Sequence, residues 1–227
     1  MAIAACLPAF AAFTNIPLPL ASYTGSTTLL SFPTPNCLSP FTINSVSGAG
    51  QTVTFSTPLT VYQVGVGLNF CGWSNWGSPP ATEGSTPVVA ATTNLSLTLT
   101  LAAPSTTFGF EVTPTSSCPI LSPCPYLITS TFYNGATVLG TIPLSIDGNS
   151  AALEAATSTV PITSVVVTAA AGSGGFAIAR VRFTPFFTTV PTLRTEVSGG
   201  LGLLLAAAGS LLARRQKARP GCATLKG

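Results

Sequence analysis

Asn94-Leu95-Ser96-Leu97-Thr98-Leu99-Thr100-Leu101 decides the fold. Leu95, Leu97, Leu99 and Leu101 recur at every second position, and Ser96, Thr98 and Thr100 fill the positions between. A period of two puts all four leucines on one face of an extended chain, which is the signature of a strand with one side in a core. Thr107-Phe108-Gly109-Phe110-Glu111-Val112 repeats the alternation a few residues on.

Further stretches read the same way. Tyr126–Tyr133 and Val138–Ile146 flank Asn134-Gly135, and an Asn-Gly pair between two apolar runs signals a hairpin. Ile162–Thr168 and Phe176–Phe183 read as a second pair across Gly172-Ser173-Gly174-Gly175. Thr28–Phe32, Phe41–Val46, Thr52–Ser56 and Leu59–Leu68 are the earlier candidates. No fixed-period repeat stands out, so a solenoid or propeller is not expected. The spacing predicts an all-β domain over residues 21–184, an antiparallel β-sandwich of jelly-roll type without a helix of its own.

Charge is distributed unevenly along the chain. No lysine or arginine precedes Arg180, and the segment before Arg194 holds four carboxylates against two arginines, a balance of about −2. The last 14 residues, Arg214–Gly227, carry five basic residues and no acidic one, so the overall +3 belongs to the tail. A nearly neutral domain has no electrostatic footprint for nucleic acid, and none is expected as a partner.

The tail itself reads as an address. Phe186-Phe187-Thr188-Thr189 leads into Val190-Pro191-Thr192-Leu193, within a linker at residues 185–196. An uncharged run of 17 residues, Val197–Ala213, follows. As a helix it would be about 25 Å long, at the lower edge of a hydrocarbon core about 30 Å thick. Arg214, Arg215, Lys217 and Arg219 then form a basic stop in residues 214–227, which puts the C-terminus in the cytoplasm and the preceding domain outside. The membrane is therefore an expected partner.

At the other end, residues 1–20 are apolar, and Ala9-Phe10-Ala11 is of cleavage-site type. No basic residue precedes this run, so it is expected to be a truncated export signal. The sequon Asn94-Leu95-Ser96 matters only in a eukaryotic secretory pathway.

The C-terminal layout resembles the PEP-CTERM class of bacterial sorting signals, which exosortases process in bacteria that produce exopolysaccharide. Val190-Pro191-Thr192-Leu193 stands where those signals usually carry Val-Pro-Glu-Pro, and it is nearer to the related type that begins Ile-Pro-Thr-Leu. Arg194-Thr195-Glu196 follows where that type has Ser-Glu-Trp. The domain ahead also resembles the β-rich domains often found before such signals, through Trp73-Ser74-Asn75-Trp76-Gly77-Ser78-Pro79-Pro80 with Glu83, Thr107-Phe108-Gly109-Phe110-Glu111, and Gly175-Phe176. The resemblance implies a sorting transpeptidase of exosortase type as partner. It also implies anchoring in the envelope with the domain outside, or release after processing.

Six cysteines suit an oxidising compartment. Cys118 and Cys124 bracket a proline-rich loop that a disulfide would close, and Cys37–Cys71 is the natural second bridge, although four cysteines allow three pairings. No metal site is expected, since the chain has no histidine and no C-x-x-C pair.

Catalysis has little to work with. Without histidine the usual proton shuttle at neutral pH is missing. The first lysine is Lys217, so no Ser-Lys dyad can form in the domain. Glu83, Glu111, Asp147 and Glu154 are the only carboxylates that a glycosidase mechanism could use. Glu111 lies on the strand face opposite Phe110 and is expected to point to solvent, and Asp147-Gly148-Asn149 reads as a turn.

No cofactor and no catalytic residue are assigned. The expected function is that of a non-catalytic bacterial envelope or extracellular-matrix protein. The alternative is a carbohydrate-binding module associated with exopolysaccharide, with Trp73 and Trp76 stacking on sugar rings. The competing reading of both tryptophans is a plug at one end of the sandwich.

Overall fold

Three prolines organise the sheet. In the computed structural model, which describes residues 12–35, 40–65, 72–73, 76–116, 125–148 and 150–185, the three longest strands each carry one in their interior. They are β4 (Gln51–Val64) with Pro58, β7 (Ser96–Pro114) with Pro104, and β10 (Ala152–Ala169) with Pro161. Proline has no N–H to give to a ladder, so a strand that carries one must give up pairing there.

Each of these strands changes partner at its proline. β4 pairs with β7 through Val53–Phe55 and with β6 (Val88–Thr92) through Thr60–Gln63. β7 pairs with β4 up to Leu101 and with β11 (Phe176–Pro185) from Ser105 onward. β10 stays on β7, with a register shift between Thr157 and Ile162, and changes partner on its other edge, from β1 (Phe13–Ile16) up to Ser158 to β8 (Tyr126–Asn134) from Ser164. What the alternation predicts as separate strands, Thr52–Ser56 with Leu59–Leu68 and Asn94–Leu101 with Thr107–Val112, is therefore two long strands with a handover in each.

The remaining elements are β1 (Phe13–Ile16), a short helix α1 (Ala21–Ser26), β2 (Thr28–Leu30), β3 (Thr42–Gly48), β5 (Gly72–Trp73), β8 (Tyr126–Asn134) and β9 (Thr137–Ile146). The path through the sheet runs β2-β11-β6-β4-β7-β10-β8-β9, and β11 also pairs with β7. The circuit β4-β6-β11-β7 is therefore closed. All pairings are antiparallel except β4 with β5. The described residues are thus all-β in class, and the six residues of α1 correct the expectation of a domain without a helix.

The Asn134-Gly135 hairpin forms between β8 and β9, with Gly135 at φ +56 as such a turn requires. The second expected pair does not form. β10 and β11 both bond to β7, which lies between them, so the Gly172–Gly175 turn carries the chain across a strand rather than between neighbours. Apolar alternation identifies strands, but it does not say which strands meet. β7 and β8 likewise flank the Cys118/Cys124 loop without pairing with each other, because β10 separates them. The sheet also begins inside the N-terminal apolar segment, where β1 pairs with β10 and Phe13 packs on Phe132 at 5.4 Å.

One core joins both ends of the long strands. Val53, Leu97, Leu99, Ile128, Phe132 and Val165 from the first part meet Phe108, Phe110, Val112, Phe176, Ile178 and Phe183 from the second. Each fully buried side chain of this size contributes about 1.5–3 kcal/mol relative to exposure.

The chain divides into Met1–Phe186 and Phe187–Gly227, and all described residues belong to the first unit. Val190-Pro191-Thr192-Leu193, the run 197–213, the basic stop Arg214, Arg215, Lys217 and Arg219, and all six cysteines lie outside the described residues. No helix among the described residues is long and apolar enough to cross a membrane.

Candidate functional site

β7 has two unlike faces. Phe108, Phe110 and Val112 enter the main core. Gly109, Glu111 and Thr113 face the other way, and this outer face is not open to water. Residues 76–84 and helix α1 cover it. Glu111 is fully buried, which corrects the expectation that it points to solvent. The alternation places it on the face opposite Phe110 correctly, but it carries no information about a loop laid over that face.

Three donors meet the Glu111 carboxylate. The Trp76 indole Nε1–H donates to Oε2 at 2.7 Å, and the Glu83 backbone N–H donates to Oε1 at 2.6 Å. Arg180 Nη1 bridges both oxygens at 3.1 and 3.0 Å and also donates to the Gly84 carbonyl at 2.8 Å. Burial pushes the carboxyl above its ordinary range, and the Glu83 N–H, the indole and Arg180 oppose that shift. The group is a satisfied buried anion, in which each oxygen has at least two donors.

The second arginine extends the clamp. Arg182 grips Glu83 with its fork, Nε to Oε1 at 2.6 Å and Nη2 to Oε2 at 2.8 Å. Its Nη1 donates to the carbonyls of Thr24 and Thr27, at 3.1 and 3.2 Å, at the C-terminal end of α1. Helix carbonyls at that end have no intrahelical donor, so a guanidinium is a natural partner for them. Glu83 thus links the two arginines, through its backbone to Glu111 and through its side chain to Arg182.

A backbone irregularity sets both arginines on the outer face. Arg180 has φ +48, in the left-handed region, and the β11–β7 register shifts between Ala179 and Arg182. Such a bulge adds one residue and reverses the alternation beyond it. Phe176 and Ile178 point inward before the bulge, and Val181 and Phe183 do so after it. Without it, Arg180 would enter the apolar core. The signal is present in the sequence as a phase slip in Phe176-Ala-Ile-Ala-Arg-Val-Arg-Phe183, where the apolar spacing changes from two to three between Ile178 and Val181.

Close packing under the clamp requires two glycines. A Cβ on Gly109 would lie 2.2 Å from the Ala155 Cβ and 2.8 Å from the Tyr23 hydroxyl. A Cβ on Gly77 would lie 2.6 Å from Thr82 Cγ2 and 2.8 Å from the Ala151 carbonyl. The Tyr23 hydroxyl has no hydrogen-bond partner, and its burial pushes its ionisation upward.

Glu154 is the opposite case. It projects from β10 into the main core, opposite Phe110 in the ladder. Oε2 accepts a hydrogen bond from the Ser130 hydroxyl, and Oε1 has no partner. Burial pushes its pKa up to about 8, which the Ser130 bond only partly opposes. It is therefore a neutral acid at pH 7. Asp147 is exposed in its turn, where its carbonyl accepts from the Ser150 N–H at 2.9 Å.

The two tryptophans share one outer apolar cluster with Val64, Val89 and Ala91 but differ in exposure. Trp76 is buried beneath the clamp. Trp73 lies half-buried on β5, its ring tilted 51° to Tyr62 with centroids 6.2 Å apart. Tyr62 and Trp73 wall a groove of about 460 Å³, with Ala91 and Thr60 also lining it and Asn94 and Thr115 among the remaining residues. No charged side chain lines this groove.

Among the described residues no group of three Asp, Glu, Cys or His converges in a way that could hold a metal. No protein-family model matches this chain, and no curated protein does.

Proposed function

We propose that this chain is a non-catalytic protein of the bacterial envelope or extracellular matrix, carried outward by its C-terminal sorting signal. The observation that carries the reading is the use of charge. Of the six ionisable acids and bases before Arg194, Glu83, Glu111, Arg180 and Arg182 form one internal clamp, Glu154 is a neutral acid in the core, and Asp147 sits in a turn. A hydrolase needs an acid and a base facing a common cleft. Here four of the six hold the fold together instead, and the exterior of the described residues is left mostly to uncharged side chains.

In this reading the sheet is an antiparallel sandwich of jelly-roll type, with β4, β7 and β10 crossing between its layers at their prolines. Residues 197–213 form a hydrophobic helix, and an exosortase-type transpeptidase acts near Val190-Pro191-Thr192-Leu193. The domain is then anchored outside or released. Cys118–Cys124 and Cys37–Cys71 are its disulfides. Fractionation of cells carrying an epitope in the β domain tests this. Recovery on the surface or in the medium is expected, and recovery in the cytosol would overturn it.

A second reading has its own observation. The Tyr62–Trp73 groove favours a carbohydrate-binding module associated with exopolysaccharide. Trp73 is the stacking residue in it, and Trp76 is a buried structural residue.

A further inference from the structure

We propose that the Tyr62–Trp73 groove binds a short stretch of an uncharged polysaccharide and discriminates against acidic ones. This rests on the carbohydrate-binding reading and adds to it a site and a ligand class.

The chemistry of the lining points to sugar. A pyranose ring has an apolar C–H face that packs on an aromatic ring and a rim of hydroxyls that needs donors and acceptors. The groove supplies both: Trp73 and Tyr62 as aromatic walls, Thr60 and Thr115 hydroxyls, and the Asn94 amide. Its volume of about 460 Å³ falls within the range of about 300–1,000 Å³ typical of small-molecule sites. That leaves room for a few sugar units.

Neutrality sets the class. An acidic glycan would call for a lysine or an arginine at the groove. Among the described residues the only cations are Arg180 and Arg182, and both are held by Glu111 and Glu83. Burying a uronate in this groove would therefore leave its charge uncompensated.

The site is also built in advance. Tyr62 and Ala91 stand on paired strands, β4 and β6. Trp73 is fixed by the β5 ladder, through Gln63↔Gly72 and Val64↔Trp73, and its carbonyl accepts from the Gly65 N–H at 3.3 Å. Walls that are ordered before binding reduce the entropy lost on association.

Affinity electrophoresis tests the proposal. The full chain, held in a non-glycosidic detergent, is run through gels containing a soluble β-glucan, a galactomannan, a mannan or alginate. Retardation by at least one neutral polymer, insensitive to salt, is expected, with none by alginate. Trp73→Ala should weaken it about tenfold or more. Asn94→Ala, on an exposed loop residue at the same groove, should weaken it with circular dichroism unchanged, and this keeps the test valid if Trp73→Ala does not fold. Neutral-polymer binding that survives in both folded variants would overturn the groove and leave the carbohydrate-binding reading standing. No retardation by any polymer would overturn both, and salt-sensitive retardation by alginate alone would overturn the neutral preference.

Discussion

Glu111 and Glu154 are both fully buried carboxyls on adjacent strands, facing opposite sides of the sheet, and the protein treats them in opposite ways. Glu111, in the outer layer, stands against an arginine, an indole N–H and a backbone N–H. Glu154, in the apolar core, has one serine hydroxyl and an oxygen with no partner. A buried acid has two ways to avoid an unpaired charge: bring the counter-charge in, or keep the proton. The outer layer does the first because the β11 bulge delivers Arg180 to it. The core does the second because neither arginine faces it.

The largest effect should come from emptying the clamp. Glu111→Ala leaves Arg180 covered and without its anion, and it removes the acceptor of Trp76 and of the Glu83 N–H. A loss of about 3–5 kcal/mol is expected from chemical denaturation. A loss below about 1 kcal/mol would make the pair an ornament of the surface. Next comes Trp76→Phe, which keeps the ring but deletes one donor to a buried carboxylate. It should cost about 1–3 kcal/mol, and a cost near zero would mean that water replaces the indole.

The proton held by Glu154 makes a prediction of definite sign. Its folded pKa, about 8, exceeds the reference 4.5. Between those values the native state binds the extra proton, so stability must fall as pH rises through that window and level off above it. Below about pH 4.5 the group contributes no penalty. Melting curves between pH 5 and 8.5 should show this decline, and Glu154→Gln should reduce its slope. Some decline should remain, since Glu111 is shifted in the same direction. Equal slopes in the two proteins would contradict the assignment of a neutral acid to the core. The smallest stability effect belongs to Asn94→Ala. Its side chain is exposed at the groove, outside the clamp, and the change should cost less than about 0.5 kcal/mol in denaturation.

Legibility in the sequence followed the same division. The inner face could be read directly. Leu97, Leu99 and Leu101, and Phe108 with Phe110, point where the alternation says they do, whereas Leu95 precedes β7 and is exposed. The outer face could be read only in part. Alternation puts Glu111 opposite Phe110, but what covers it is a loop more than twenty residues away in sequence and a six-residue helix. No periodicity encodes either. The bulge was written in the spacing of Ile178 and Val181, and the partner changes in Pro58, Pro104 and Pro161, since a proline interrupts a ladder without ending a strand. The wrong hairpin at Gly172–Gly175 has a simple cause. A glycine-rich turn reverses the chain, but it does not prevent a third strand from lying between the arms. The groove was half legible. The Trp73/Trp76 segment drew attention, but Tyr62 and Asn94 reach it only through the β4–β5 and β4–β6 pairings.

The central claim is that the outer layer is held by a charge pair working as one unit. A double-mutant cycle on Glu111→Leu and Arg180→Met measures this most directly, read by denaturant unfolding at pH 7. The pair predicts strong non-additivity. The double variant should be more stable than the sum of the single losses implies, by about 2 kcal/mol or more, because neither single variant can avoid stranding a polar partner. Additivity within about 0.5 kcal/mol would mean that Glu111 and Arg180 do not depend on each other, and would contradict the account.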